Sequence, residues 1–176
     1  MATDLLGQPM SLVGSIYYDK PAGINWKVAW HQDLTLPFRR EIQDPHFGPW
    51  TMKGGQLQAP APAQVLRQTV ILRIHLDPCR ADTGGLKIIS GSHAHGRLTA
   101  QEIMRLSEHS PFEFVEGPVA SVLALNPLLV HGSSTAPNPS RRRVLSLQYA
   151  PQDLAETIGL GFIEQRHWAA AEKRSV

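Results

Sequence analysis

The sequence predicts a mainly β fold, a barrel-like sandwich of short strands with one or two flanking helices, and three observations point to it. Gly and Pro are frequent, 14 of each among 176 residues, which favours turns over long helices. Stretches with strand character are short and stop at turn residues, as at Gly117-Pro118 and Asn126-Pro127. A single stretch carries a complete helix start signal. The length fits one domain, residues 1–176, with a hydrophobic core, and 42% hydrophobic against 18% charged residues fits a globular chain without a visible repeat.

Taken in order, the first strand lies near Ser11 to Tyr18, and a second runs from Trp26 into Asp33, where Trp26-Lys27-Val28-Ala29-Trp30 is rich in aromatic and β-branched residues and has no helical period. Residues 34–65, with Pro45, Pro49, Pro60, Pro62 and Gly54-Gly55, read as a long irregular loop insertion. Such loops often bind ligands, so Phe47, Trp50 and Met52 are candidates for substrate contact. A strand follows from Thr69 to Leu76. Thr99-Ala100-Gln101-Glu102 is a capping box, and Ile103, Met104 and Leu106 continue on a helical period, so this helix packs outside the barrel. Strands Phe112–Glu116 and Val119–Leu125 are joined at Gly117-Pro118. The stretch from Ser121 reads as two strands broken at Asn126-Pro127, with His131 ending the second and Gly132 permitting a sharp turn. A last strand, Val144–Tyr149, leads to a short helix after Pro151.

Composition excludes several function classes. The formal net charge is +2, and Arg141-Arg142-Arg143 is the one basic cluster, so nucleic-acid binding is not indicated. A lone cysteine, Cys79, rules out an intramolecular disulfide framework and a cysteine zinc site. The start lacks the features of a leader, and no apolar run approaches ~20 residues. The expectation is a soluble, cytoplasmic protein with no membrane partner.

The chemistry is concentrated in His31-Gln32-Asp33, in His131 one hundred positions on, and in Arg142 eleven beyond that. On a strand, His31 and Asp33 point the same way, roughly 7 Å apart along the chain. Two histidines and one carboxylate make the facial triad that holds Fe(II) and leaves about half of its octahedral shell open for a cosubstrate and O2. Strand alternation puts Arg142, Val144, Ser146 and Gln148 on one face and Arg141, Arg143, Leu145, Leu147 and Tyr149 on the other. It does not say which face is inward. Arg73 and His75 share a face of their strand. Of the eight histidines in the chain, His93 and His95 follow Ser90-Gly91-Ser92 in a loop or rim, and His46, His109 and His167 read as surface residues.

These stretches resemble the phytanoyl-CoA dioxygenase family of Fe(II)- and 2-oxoglutarate-dependent oxygenases. The matching segments, in family order from about residue 5 to 150, are Tyr18-Asp19-Lys20-Pro21, Trp30-His31-Gln32-Asp33, Leu72-Arg73-Ile74-His75-Leu76-Asp77, Gly84-Gly85-Leu86-Lys87-Ile88-Ile89-Ser90-Gly91-Ser92-His93, and His131-Gly132-Ser133 followed by Arg142. The resemblance implies a double-stranded β-helix, a jelly-roll or cupin-like fold. It implies iron on His31, Asp33 and His131, and 2-oxoglutarate on Arg142 and Ser133. It places Ile16, Tyr18, Arg73 and His75 on the substrate pocket. With Asp33 present, where related halogenases have a small residue, hydroxylation of a small organic substrate with release of succinate and CO2 is the expected reaction. Family members usually carry a longer N-terminal region before the Lys-Pro strand. The alternatives are a catalytically silent metal- or small-molecule-binding barrel, a non-oxidative cupin-like isomerase, and, for the assembly, a homodimer.

Overall fold

The computed structural model describes residues 2–23 and 25–162. Helix α1 (Ala2–Leu6) precedes strands β1 (Met10–Lys20), β2 (Val28–His31), β3 (Thr35–Phe38), β4 (Thr51–Lys53) and β5 (Gln56–Pro60), helix α2 (Ala63–Leu66), and strands β6 (Val70–His75) and β7 (Leu86–Ile88). Helix α3 (Ala100–His109), strands β8 (Glu113–Phe114), β9 (Val122–Leu125), β10 (His131–Ser133) and β11 (Arg142–Pro151), and helix α4 (Gln152–Ile158) complete it.

Two four-stranded antiparallel sheets form the sandwich, ordered β1-β11-β6-β9 and β2-β10-β7-β8. Ile71, Leu86, Leu125 and Leu129 fill one end of the space between them. On the outer face of the first sheet, Ala2 of α1 covers Val70 and Leu72. The period-2 pattern in β11 and β6 follows from this arrangement, since one face meets the interior and the other meets α1 or solvent. The capping box of α3 is formed as read, with the Thr99 hydroxyl accepting from the Glu102 N–H and the Glu102 carboxylate accepting from the Thr99 N–H at 2.7 Å.

The segment 34–65 corrects the sequence reading. Instead of an irregular insertion it holds a three-stranded sheet, β3-β5-β4, whose inner side carries Leu36, Phe38 and Ala59 into a core shared with Val13, Leu66, Leu128 and Leu160. Pro45 and Pro49 do lie in an irregular stretch between β3 and β4, and Pro62 caps α2, but Pro60 ends β5 and Gly54-Gly55 joins two strands. Pro37 sits on the edge strand β3, where a missing N–H is tolerated. Gly54-Gly55, with φ of 56° and 76°, is the two-residue turn of the β4–β5 hairpin. Trp50 and Phe47 pack edge-on against Phe38, at ring-centroid distances of 4.9 and 5.7 Å.

Candidate metal centre

His31 closes β2 and His131 opens β10, and the antiparallel register sets them directly opposite each other, with ring centroids 4.3 Å apart. His131 therefore begins a strand, where the sequence reading had it end one. Gly132 is also used differently from expected. It does not turn the chain; a Cβ there would lie 2.9 Å from the Val28 carbonyl oxygen, so glycine is what lets β10 approach β2 this closely. Asp33 lies two residues beyond His31, its N–H donating to the Pro127 carbonyl at 2.9 Å.

The Nε2 atoms of His31 and His131 each lie 3.5 Å from a different oxygen of Asp33, and the three potential ligand atoms fall within 4.8 Å of one another. Adjacent corners of an octahedron with bonds of about 2.1 Å are about 3 Å apart, close to this spacing. Each imidazole is oriented from behind, because His31 Nδ1 and His131 Nδ1 lie 2.9 Å from the carbonyls of Ala29 and Leu129, two residues earlier in each case. A carbonyl only accepts, so Nδ1 carries a proton and Nε2 is the atom turned to Asp33. Burial pushes His131 down, against the pull of Asp33. The hydrogen bond to Asp33 pushes His31 up, against its burial. Burial would raise Asp33, but the His31 hydrogen bond and the charges of His131, His31 and Arg73 outweigh it and hold the carboxyl below its ordinary value. A proton and a metal ion would thus compete for the same lone pairs, so that a metal binding here would displace a proton.

Gln32, between the two ligand candidates, points the opposite way and is 7% exposed. Its Nε2 donates to the Gly96 and Leu128 carbonyls at 2.8 and 2.6 Å, and its Oε1 accepts from the Leu98 N–H at 2.9 Å. Sequence reasoning passed over this side chain, although its parity, opposite to His31 and Asp33, marked it as facing another part of the core.

Beside the triad lies a cavity of about 120 Å³ lined by Tyr18, Lys20, Arg73, Ser133 and Arg142. The arginine triplet is sorted by its acids. Arg141 makes paired bonds to Asp19 at 3.1 and 2.8 Å, and Arg143 makes paired bonds to Asp77 at 2.9 and 2.8 Å. Arg142, of opposite parity, turns into the cavity, where burial pushes its pKa down. Among the described residues, Arg142 Nε, Ser133 Oγ and Arg73 Nε are buried without a hydrogen-bond partner. Such orphaned groups are uncommon and costly, about 1–3 kcal/mol each, and point to a ligand that meets them. In the sequence Lys20 stands out only as half of a Lys-Pro pair. It is 5% exposed, faces Arg142 across β1 and β11, and donates Nζ to the Trp26 carbonyl at 2.8 Å.

A second, larger cleft of about 840 Å³ adjoins the first, sharing Tyr18 and Asp33 with it, and is lined by Ile16, Gln58, Ser146 and Gln148 among others. Ile16 and Tyr18 both line this cleft. Trp50 and His75 are not among the linings of either cavity. Trp50, partly buried, packs on Phe38 at the edge of the core, and His75 is a buried histidine with Nδ1 3.0 Å from Ser121 Oγ. His46, His93, His95 and His109 are exposed, and His167 lies outside the described residues.

The family model described as phytanoyl-CoA dioxygenase (PhyH) matches residues 2–144. The chain belongs to the phytanoyl-CoA dioxygenase family. Solved structures share its double-stranded β-helix fold. AviO1 from Streptomyces viridochromogenes Tue57 is 22% identical with a TM-score of 0.61, over 86% of this chain and 55% of that one. EctD from S. alaskensis in its apoform is 20% identical with a TM-score of 0.62, over 99% and 56%. HygX from Streptomyces hygroscopicus, solved with iron bound, is 18% identical with a TM-score of 0.56, over 92% and 70%. The chain thus spans little more than half the length of AviO1 or EctD. No curated protein matches the sequence. No helix among the described residues is long and apolar enough to cross a membrane.

Proposed function

We propose that this member of the phytanoyl-CoA dioxygenase family is an Fe(II)- and 2-oxoglutarate-dependent oxygenase that hydroxylates a small organic substrate. The observation that carries the reading is the pairing of a three-ligand cluster with a cavity whose far wall presents the buried, unpartnered Arg142 Nε and Ser133 Oγ. His31, Asp33 and His131 hold the iron. Arg142 receives the distal carboxylate of 2-oxoglutarate through the parallel N–H groups of its guanidinium, and Ser133 donates its hydroxyl to the same group. Lys20 adds positive charge at that end. EctD has been solved with 2-oxoglutarate and 5-hydroxyectoine and HygX with iron, which supports the same cofactor pair here.

Within this scheme the protein positions and the iron supplies the reactivity toward O2, oxidising 2-oxoglutarate to succinate and CO2 as the substrate is hydroxylated. The two Nδ1···carbonyl contacts keep Nε2 of each histidine aimed at the ion. The wider cleft at Ile16 and Tyr18 admits the substrate to the Asp33 side. The test is an anaerobic titration with Fe(II) and 2-oxoglutarate, following the weak visible charge-transfer band of the chelate. The band is expected in the wild type, and lost in His131→Ala and Arg142→Ala. A folded protein that binds Fe(II) but gives no band is a metal-binding barrel without cosubstrate chemistry, and the proposal fails.

A further inference from the structure

We infer that Arg73 is a substrate-recognition residue that binds a carboxylate of the primary substrate, so that the class of molecule hydroxylated is an organic acid. The inference rests on the oxygenase reading above and deepens it. Arg73 is the inward residue of a row running across the first sheet, since it pairs with Ser146 of β11, and Ser146 pairs with Ile16 of β1. Ile16 and Ser146 line the wide cleft, whereas Arg73 lines the small cavity with the triad. The guanidinium therefore stands at the junction of the two, beside Tyr18, whose ring centroid is 5.3 Å from its central carbon.

Arg142 lies four residues along β11 from Ser146, the register partner of Arg73, which separates the two arginines by about 13 Å of strand. A five-carbon diacid held at Arg142 by one carboxylate and at the triad by the other has none left for Arg73. The charge balance leads to the same conclusion. The small cavity is lined by the three cations Lys20, Arg73 and Arg142 against the single carboxylate Asp33. Divalent iron and dianionic 2-oxoglutarate cancel, and the positive surplus stays. Among the described residues no carboxylate is ion-paired with Arg73, and its Nε is buried without a partner. A guanidinium in that state fits a planar oxyanion, through paired N–H groups. Carboxylate is favoured over phosphate because one guanidinium matches two coplanar oxygens, while Arg142 and Lys20, register partners four residues along β11 from the Arg73 pairing, are assigned to 2-oxoglutarate.

The test uses the full chain, anaerobic, with Fe(II) and saturating 2-oxoglutarate, and measures binding by calorimetry and by the shift of the charge-transfer band. The probes are matched pairs, hexanoate with hexanamide and phenylacetate with phenylacetamide, plus phenyl phosphate. At least one acid is expected to bind about tenfold or more tightly than its amide, and Arg73→Gln to reduce that preference below about threefold while Arg73→Lys keeps part of it. The 2-oxoglutarate affinity of Arg73→Gln is expected to stay within about threefold of wild type. Absence of any acid preference, its survival in Arg73→Gln, a stronger response to phenyl phosphate, or a tenfold loss of 2-oxoglutarate affinity in Arg73→Gln each overturns the inference. If the wild type shows the Arg73-dependent acid preference but never the 2-oxoglutarate band, the oxygenase reading falls and the assignment of Arg73 stands.

Discussion

Replacing Gln32 by Ala removes a buried clamp, and its effect can be worked from three hydrogen bonds. The carboxamide holds the Gly96 and Leu128 carbonyls at 2.8 and 2.6 Å and the Leu98 N–H at 2.9 Å. Each bond contributes about 1 kcal/mol, and the abandoned backbone groups are buried, so the variant should lose about 3 kcal/mol. For a chain of this size that is a fall in Tm of about 6–12 °C. Gln32→Glu should be at least as damaging. It keeps an acceptor for Leu98 but has no donors and brings negative charge to two carbonyl oxygens. A second effect follows from position, because the clamp ties the turn at residues 126–129, which leads directly into His131, to the segment just after β2 that carries Asp33 beside His31. Metal affinity should fall about tenfold, as for other groups that hold ligands in place. Thermal and urea unfolding followed by tryptophan fluorescence, and a competitive chelator titration, measure the two quantities. A Tm within about 2 °C of wild type together with unchanged metal affinity would refute the clamp.

Other perturbations have equally definite outcomes. Gly132→Ala places a Cβ 2.9 Å from the Val28 oxygen, so β2 and β10 must separate; a loss of about 1–3 kcal/mol and weakened metal binding are expected in the same two assays. Ser133→Ala removes a buried hydroxyl from the cavity wall and should weaken 2-oxoglutarate by about tenfold in the charge-transfer titration while leaving Fe(II) affinity unchanged. His75 is held below its ordinary pKa by burial and then by the charges of Arg73 and Arg142. Its unfolded form therefore takes up a proton first, and the stability that neutral His75 provides above an unfolded pKa of about 6.5 is lost as pH falls toward the folded value. The stability gap between wild type and His75→Gln should accordingly narrow from pH 7.5 to 5.5 in urea unfolding, and a gap that widens would contradict the sign. Asp77→Ala strips Arg143 of bonds at 2.7, 2.9 and 2.8 Å and should lower the urea midpoint, with no effect on the visible band, because this pair lies on the face opposite Arg142.

What the sequence made legible is what alternation within one strand can carry. His31 and Asp33 share a face because they are two apart, and Arg142 keeps the company of Val144, Ser146 and Gln148 for the same reason. The helix at Thr99 was legible because its capping signal is complete within four residues. The sheet at 35–60 was not, because Pro60 and Gly54-Gly55 have the local signature of breakers although a strand end and a two-residue hairpin use them. Trp50 does lie in a loop, but its ring packs edge-on against Phe38, a tertiary contact that no local pattern announces.

Register between strands is the information that no local pattern holds. His31 meets His131 only because β10 pairs with β2 at that offset. The parity of Arg141 and Arg143 became outward once Asp19 and Asp77 were placed beside them, and only Asp19, out of phase with Tyr18 and Lys20, hinted at it from the sequence. That Arg73 and Arg142 stand at different ends of one cavity follows from Arg73 pairing with Ser146 instead of a residue nearer Arg142. A shift of two residues in that pairing would preserve every inward-facing side chain, yet bring Arg73 alongside Val144 and crowd the two guanidinium groups together. The division of labour proposed for them, one for the cosubstrate and one for the substrate, is thus a property of sheet register.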